Sequence, residues 1–170
     1  MRIALGSDRN GLDYKTRLIE HLKELGHEPV DVGTNENIPC DTPVFASKAA
    51  KLVAAGECEC GILICATGTG MVIAANKIKG AYCGMGYSDL VTKYMRAHND
   101  ANMIAFGQKH MGYEDVEHRV DIFISTEFVG LHHSPRVQQV KDLEDGKDIK
   151  QTPIMNPTWK EWYFYDFRSN

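Results

Sequence analysis

Apolar residues along this chain switch repeatedly between short compact runs and a helical rhythm. The run Arg2–Leu5 stops at Gly6-Ser7-Asp8, which predicts a short buried strand and a turn. From Leu12 to Leu25 the positions Leu12, Leu18, Ile19, Leu22 and Leu25 recur at helical spacing, and Gly26 supplies the stop. Pro29–Val32 predicts a second strand; Val44–Ala55, rich in alanine and closed by Gly56, predicts a second helix. The strongest strand signal is Gly61-Ile62-Leu63-Ile64-Cys65, a continuous apolar run suited to a parallel sheet covered on both faces. Strands over Ala81–Met85 and Met103–Phe106, and helices over Met71–Ile78, Asp89–Ala97, Asp115–Ile124 and Val137–Leu143, continue the alternation. Such alternation predicts one α/β domain over residues 1–150, a doubly wound parallel sheet with Val137–Leu143 as its C-terminal helix. Residues 151–170 are different material: Pro153 and Pro157 precede an aromatic cluster from Trp159 to Phe167. So dense a cluster must cover its own domain or pack on another chain.

A chain of 170 residues is long enough to bury a real core. Its net charge of −4 gives no electrostatic case for nucleic acid or an anionic membrane surface, so any phosphate must be gripped locally. No apolar run approaches the ~20 residues of a membrane span, and Met1–Gly11 turns polar too soon for a secretory leader. The five cysteines (Cys40, Cys58, Cys60, Cys65 and Cys83) form no secreted framework, which points to free thiols in a reducing cytoplasm. Cys58-Glu59-Cys60 has no second pair at ligand spacing, so no zinc site is expected.

Four polar segments fall at element junctions. Cys65-Ala66-Thr67-Gly68-Thr69-Gly70 lies between the strongest strand and the next helix, at the end where doubly wound folds bind ligands. Gly68 and Gly70 let backbone N–H groups approach a ligand, and a helix start favours negative charge. The segment lacks both the Lys-Ser/Thr ending of a Walker loop and the spacing of a dinucleotide fingerprint. A thiolate facing oxyanion donors serves proton abstraction beside a carbonyl, and it serves nucleophilic attack equally well. Read plainly, the segment is a strand–helix turn with a buried cysteine.

His98-Asn99-Asp100-Ala101-Asn102 joins a helix to a strand, and His98 could exchange the protons that open a cyclic sugar. A capping turn explains the same letters. After the first strand, Asp8 could hold sugar hydroxyls and Arg9 could pair with a phosphate. Ser7, Asp8 or Asn10 could equally cap the first helix. In His132-His133-Ser134-Pro135-Arg136 the adjacent histidines make a poor chelate, and Arg136 is the preferred candidate for an anion contact.

Together, GSDRNG (6–11), GILICATGTGMVIAANKIKG (61–80), HNDANMIAFG (98–107) and HHSPRV (132–137) resemble the ribose-5-phosphate isomerase B and galactose-6-phosphate isomerase family. The resemblance runs in order over residues 1–145. It implies a Rossmann-like fold, active sites shared between subunits, and an aldose–ketose isomerase needing no metal or nucleotide. It implies Cys65 as the carbon base, His98 as the ring-opening residue, and Thr67, Gly68, Thr69 and Gly70 as the oxyanion loop. Asp8 and Asn99 match its sugar contacts, and Arg136 matches a phosphate-binding arginine.

Where the ribose enzymes commonly carry Asp-His after strand one, this chain has Asp8-Arg9. Of two arginines four apart near the last helix, only Arg136 remains, His132 standing at the first position. Lys109 and Thr42 stand where a further arginine and a tyrosine are expected. With the aromatic tail, these departures resemble the galactose-6-phosphate branch, whose B-type chain works beside a homologous A-type subunit in a hetero-oligomer. That branch implies conversion of D-galactose 6-phosphate to D-tagatose 6-phosphate through a cis-enediolate. Two alternatives stay open: a homodimeric ribose-5-phosphate isomerase, and a non-catalytic sugar-phosphate-binding subunit.

Overall fold

The computed structural model describes residues 1–151; the aromatic extension expected beyond Gln151 lies outside the described residues. The strands are β1 (Arg2–Ser7), β2 (Glu28–Asp31), β3 (Cys60–Cys65), β4 (Cys83–Met85) and β5 (Met103–Gly107). The helices are α1 (Leu12–Glu24), α2 (Thr42–Ala54), α3 (Thr69–Ala75), α4 (Asp89–Ala97), α5 (Tyr113–Ser125) and α6 (Ser134–Glu144). Every expected element is present in the expected order, and the differences lie at the ends. β4 begins at Cys83 instead of Ala81, because Ala81 N closes a turn on Ile78 O and Tyr82 N donates to the side chain of Asn102. α3 starts at Thr69 and ends at Ala75, where Asn76 turns its amide to both backbone groups of Cys83.

All five strands run parallel in the order β2-β1-β3-β5-β4, giving the Rossmann-like, doubly wound architecture. Alternation along each strand sorts the core into two layers. Ile3 and Leu5, Ile62 and Ile64, and Ile104 and Phe106 pack with buried residues of α1, α4 and α5. Ala4, Leu63, Cys65 and Ala105 pack with α2 and α3. The alanines of α2 permit a close approach: a Cβ at Gly6 would lie 3.0 Å from Phe45 O and 3.5 Å from Ala49 Cβ. On the outer edge beside β4, α6 buries Val137 and holds Gly80 N and the Tyr82 hydroxyl through Glu144, at 2.9 Å each. Burial, then the Glu144 contact, pushes the Tyr82 hydroxyl up to about 12. Among the described residues no helix is long and apolar enough to cross a membrane.

From β1 the chain winds outward to β2 and then returns to β3 on the other side. The carboxyl ends of β1 and β3 therefore flank a switch point, where such sheets open a crevice.

Candidate active site

Cys65 is the last residue of β3, and the alternation that buries Leu63 turns it toward the α2–α3 layer, where it is 5% exposed. Gly68 N donates to its Sγ at 3.1 Å. Doubling the chain back within three residues requires a left-handed residue, and Gly68 has φ +81. Beyond the thiol, Thr67, Thr69 and Gly70 are exposed at the crevice. The segment after β5 braces the loop from behind: Gln108 N donates to Cys65 O at 2.9 Å and Lys109 N to Ala66 O at 3.1 Å. His110 Nε2 lies 3.2 Å from Thr67 O. Gly107 leaves room for this contact, since a Cβ there would fall 2.2 Å from His110 Nε2. His110 and Gly107 were not singled out from sequence; a glycine closing a strand was their one signal.

Asp8, 5% exposed, engages both carboxylate oxygens. Asn10 N donates to Oδ1 at 2.8 Å, and the Thr42 hydroxyl donates to Oδ2 at 2.7 Å. Asp8 thus caps the short 3-10 turn Arg9–Gly11, while α1 itself has no side-chain cap. Each oxygen keeps a lone pair for a sugar hydroxyl, so capping and binding are compatible. The turn lies hard against β3, with the Cβ position of Gly11 only 2.4 Å from Ile64 O. Arg9 is exposed on it. Thr42 opens α2 and faces the glycine loop, its Cγ2 3.5 Å from the Cβ position of Gly70. Cys65, the Thr67–Gly70 loop, Asp8, Arg9 and Thr42 therefore gather at one edge of the sheet.

His98, Asn99 and Arg136 gather elsewhere. α4 runs back across the sheet, and Asn102 O, just past its end, accepts from Gly61 N at the start of β3. Cys65 lies four residues further along that strand, about 13 Å away. His98 caps α4, its ring stacked 4.2 Å from Tyr94 and 4.1 Å from His133; His132 follows His133 at 4.0 Å. His98, Asn99, His133 and Arg136 line a cavity of about 400 Å³ with an apolar floor of Met95 and Val137. Arg136 Nη1 donates to His132 O at 2.6 Å. Asp100 (φ 51) and Leu131 (φ 49), the non-glycine residues with positive φ among those described, flank this second cluster. Strained backbone of this kind gathers at functional sites.

Three further cysteines, Cys58, Cys60 and Cys83, are buried, and burial raises the Cys58 thiol as well as the other two. Burial pushes both Cys60 and Cys83 up to about 12, which keeps them protonated core residues. Among the described residues no group of three or more His, Cys, Asp or Glu could hold a metal ion.

What the first edge can do is take a proton from carbon and steady the oxyanion left behind, the work of an enzyme that isomerises hydroxy-carbonyl compounds. The profile of the Ribose/Galactose Isomerase family matches residues 3–140, and the chain belongs to that family. It is 38% identical over 150 residues to ribose-5-phosphate isomerase B of Escherichia coli (strain K12), covering 86% of this chain and 99% of that protein. It is 33% identical over 128 residues to galactose-6-phosphate isomerase subunit LacB of Clostridium acetobutylicum, covering 75% and 74%. The structure of Clostridium thermocellum ribose-5-phosphate isomerase B matches with a TM-score of 0.84 at 38% identity, covering 86% of this chain and 99% of that one. The protein is a sugar-phosphate aldose–ketose isomerase. The expected galactose-6-phosphate B-type chain is met at the level of the family.

Proposed function

We propose that the chain isomerises ribose 5-phosphate through a cis-enediolate, in sites built by two copies. The observation that carries the reading is the Gly68 N–H aimed at Cys65 Sγ from 3.1 Å, a preformed setting for a thiolate base at the switch point. His98 protonates the ring oxygen as the C1 hydroxyl gives up its proton, the bond from C1 to the ring oxygen breaks, and the open-chain aldehyde forms. Cys65 then takes the C2 proton, the C–H electrons form the C1–C2 double bond, and the Thr67–Gly70 loop holds the developing oxyanion. The hydroxyl proton of the C2 oxygen passes to the C1 oxyanion, the proton held by Cys65 returns to C1, the C2 oxygen becomes the carbonyl, and an aldose has become a ketose. Asp8 and Asn99 hold hydroxyls, and Arg136 with Arg9 holds the phosphate. No metal or nucleotide takes part. Because His98, Asn99 and Arg136 stand at the opposite edge from Cys65, they serve the thiol of a second copy. The free cysteines suit a cytoplasmic enzyme.

The identity of 38% to a ribose-5-phosphate isomerase B, against 33% to a LacB subunit, supports ribose 5-phosphate and a homodimer. A second reading, galactose 6-phosphate turned over beside an A-type partner, is favoured by the short side chain of Thr42 at the lip of the crevice.

Two measurements test these readings. Turnover of both sugars by the purified chain, alone and with an A-type partner, separates them; activity only with the partner overturns the homodimer. Mixing inactive Cys65→Ala with inactive His98→Ala protein tests site sharing. If sites are shared, half the dimers are mixed, each keeps one intact site of two, and about a quarter of wild-type turnover returns. No recovery refutes the shared site.

A further inference from the structure

Lys15 sits on α1 with its side chain fully buried, a rare situation for lysine. Its ammonium donates to Asp31 Oδ2 at 2.6 Å and to Asn35 Oδ1 at 2.8 Å, both in the segment where β2 ends. The other oxygen of Asp31 accepts from Gly33 N at 2.9 Å. Gly33 is pressed on β1: a Cβ there would lie 2.6 Å from Ser7 N and 2.8 Å from Lys15 Cδ. Next, Thr34 N donates to Ser7 O at 2.9 Å. This turn is clamped onto the final residue of β1, and Asp8 follows immediately. The same segment continues to Thr42, whose hydroxyl holds the Asp8 carboxylate at 2.7 Å.

Asp8 is therefore fixed from two sides by one stretch of chain. Its main chain follows the clamped Ser7, and its carboxylate hangs from Thr42. Lys15 is the buried cation that ties the stretch down. Replacing a whole buried pair by apolar residues often costs no stability, whereas removing the cation alone leaves the Asp31 carboxylate without its ammonium. A buried charge pair does, however, specify a single arrangement of the groups it joins. We propose that Lys15 is a positioning residue for substrate binding, which acts through Asp31 and Asn35 on the 31–42 segment and through it on Asp8. The kinetic part of the proposal rests on the isomerase reading above.

Asp8 contacts the sugar in ground and transition states alike, so its misplacement weakens binding more than it slows chemistry. In Lys15→Met, KM for the sugar phosphate should rise about tenfold while kcat stays within about threefold. Asn35→Ala keeps the Lys15–Asp31 pair and removes one acceptor from the ammonium, and it should raise KM by about threefold or more. Val120→Ala, in the core of α5 away from this segment, is the control: it should lower Tm and leave KM unchanged. Amide exchange at Asn10 and Thr34 reads the same positioning without turnover, and it should quicken in the Lys15 and Asn35 variants only. Unchanged KM together with unchanged exchange in Asn35→Ala overturns the proposal, even if Lys15→Met fails to fold. Absence of wild-type turnover on either sugar would instead refute the function, while the exchange measurement still decides the positioning role.

Discussion

Replacing Gly68 with alanine tests how the glycine loop serves the thiol. At φ +81 an alanine costs about 1–2 kcal/mol in backbone strain. Its Cβ would also meet Met85 Sδ at 2.7 Å and the Phe106 carbonyl carbon at 3.1 Å. The methionine can swing aside but the backbone carbon cannot, adding about 1 kcal/mol of overpacking. Together these amount to about 2–3 kcal/mol, or a Tm lower by roughly 4–12 °C for a chain of this size. The loop can relieve that strain by returning to negative φ, and doing so swings the Gly68 N–H away from Cys65 Sγ. A hydrogen bond to a charged group contributes about 1.5–3 kcal/mol. Its loss should lower kcat about 10- to 100-fold. The same change should slow alkylation of Cys65 by iodoacetamide at neutral pH. Gly70→Ala is the internal control for folding, since a Cβ there makes only an ordinary 3.5 Å contact with Thr42 and the residue lies within α3. Its Tm should stay at or slightly above wild type, because alanine suits a helix better than glycine. A Gly68→Ala enzyme with a lowered Tm but wild-type kcat and wild-type alkylation would show that this N–H does not support the base.

Three further outcomes are expected of the same fold. Cys65→Ala should lower kcat by about 10²–10⁴-fold with KM little changed, as steady-state kinetics on ribose 5-phosphate will read; retention of about half the turnover removes the base assignment. Thr42→Tyr fills the lip between Asp8 and Gly70 and should impair galactose 6-phosphate more than ribose 5-phosphate; equal losses on both show that the lip does not measure chain length. Stability should fall in alkali: Cys60 and Cys83 ionise from pH 9.0 when unfolded but only near 12 when folded. Their contribution is complete below pH 9.0 and declines above it by up to about 1.4 kcal/mol per pH unit for each thiol. Urea midpoints of a Cys60→Ala/Cys83→Ala protein should show a shallower alkaline decline than wild type, and an identical slope contradicts the assignment.

Element order was legible because each buried strand is a short apolar run and each helix repeats its apolar face, as in Ile62–Ile64 and Leu18–Leu22. Such patterns are local, so they say nothing of neighbours: that β5 slots between β3 and β4 appears only in the sheet. β4 was read two residues too long because Ala81 and Tyr82 are apolar enough for a strand, yet their backbone groups are claimed by a turn and by Asn102. Cys65 and Gly68 could be singled out because they end the strongest strand and open the next helix. Lys15 could not, since a lysine four residues into an amphipathic helix reads as its solvated face. Only the acceptors on the β2 side, sixteen and twenty residues away, turn it into a buried cation.

Separation of the two residue clusters follows from the connectivity rather than from local sequence. In a parallel sheet every strand delivers its last residue to one edge, and every returning helix delivers its last residue to the other. Cys65 leaves a strand and His98 leaves a helix, so no adjustment of loops brings them together without breaking the winding. A carbon base and a ring-opening acid drawn from those two positions can meet only between chains. A two-fold axis that sets the carboxyl edge of one copy against the amino edge of the other does so twice. In the homodimer we propose, two such copies would hold two equivalent sites, each with a thiol under its glycine loop facing the partner's histidine column. The geometry of one chain thereby gives the mixing of Cys65→Ala and His98→Ala protein its sharp expectation, because the two lesions fall in different halves of every site.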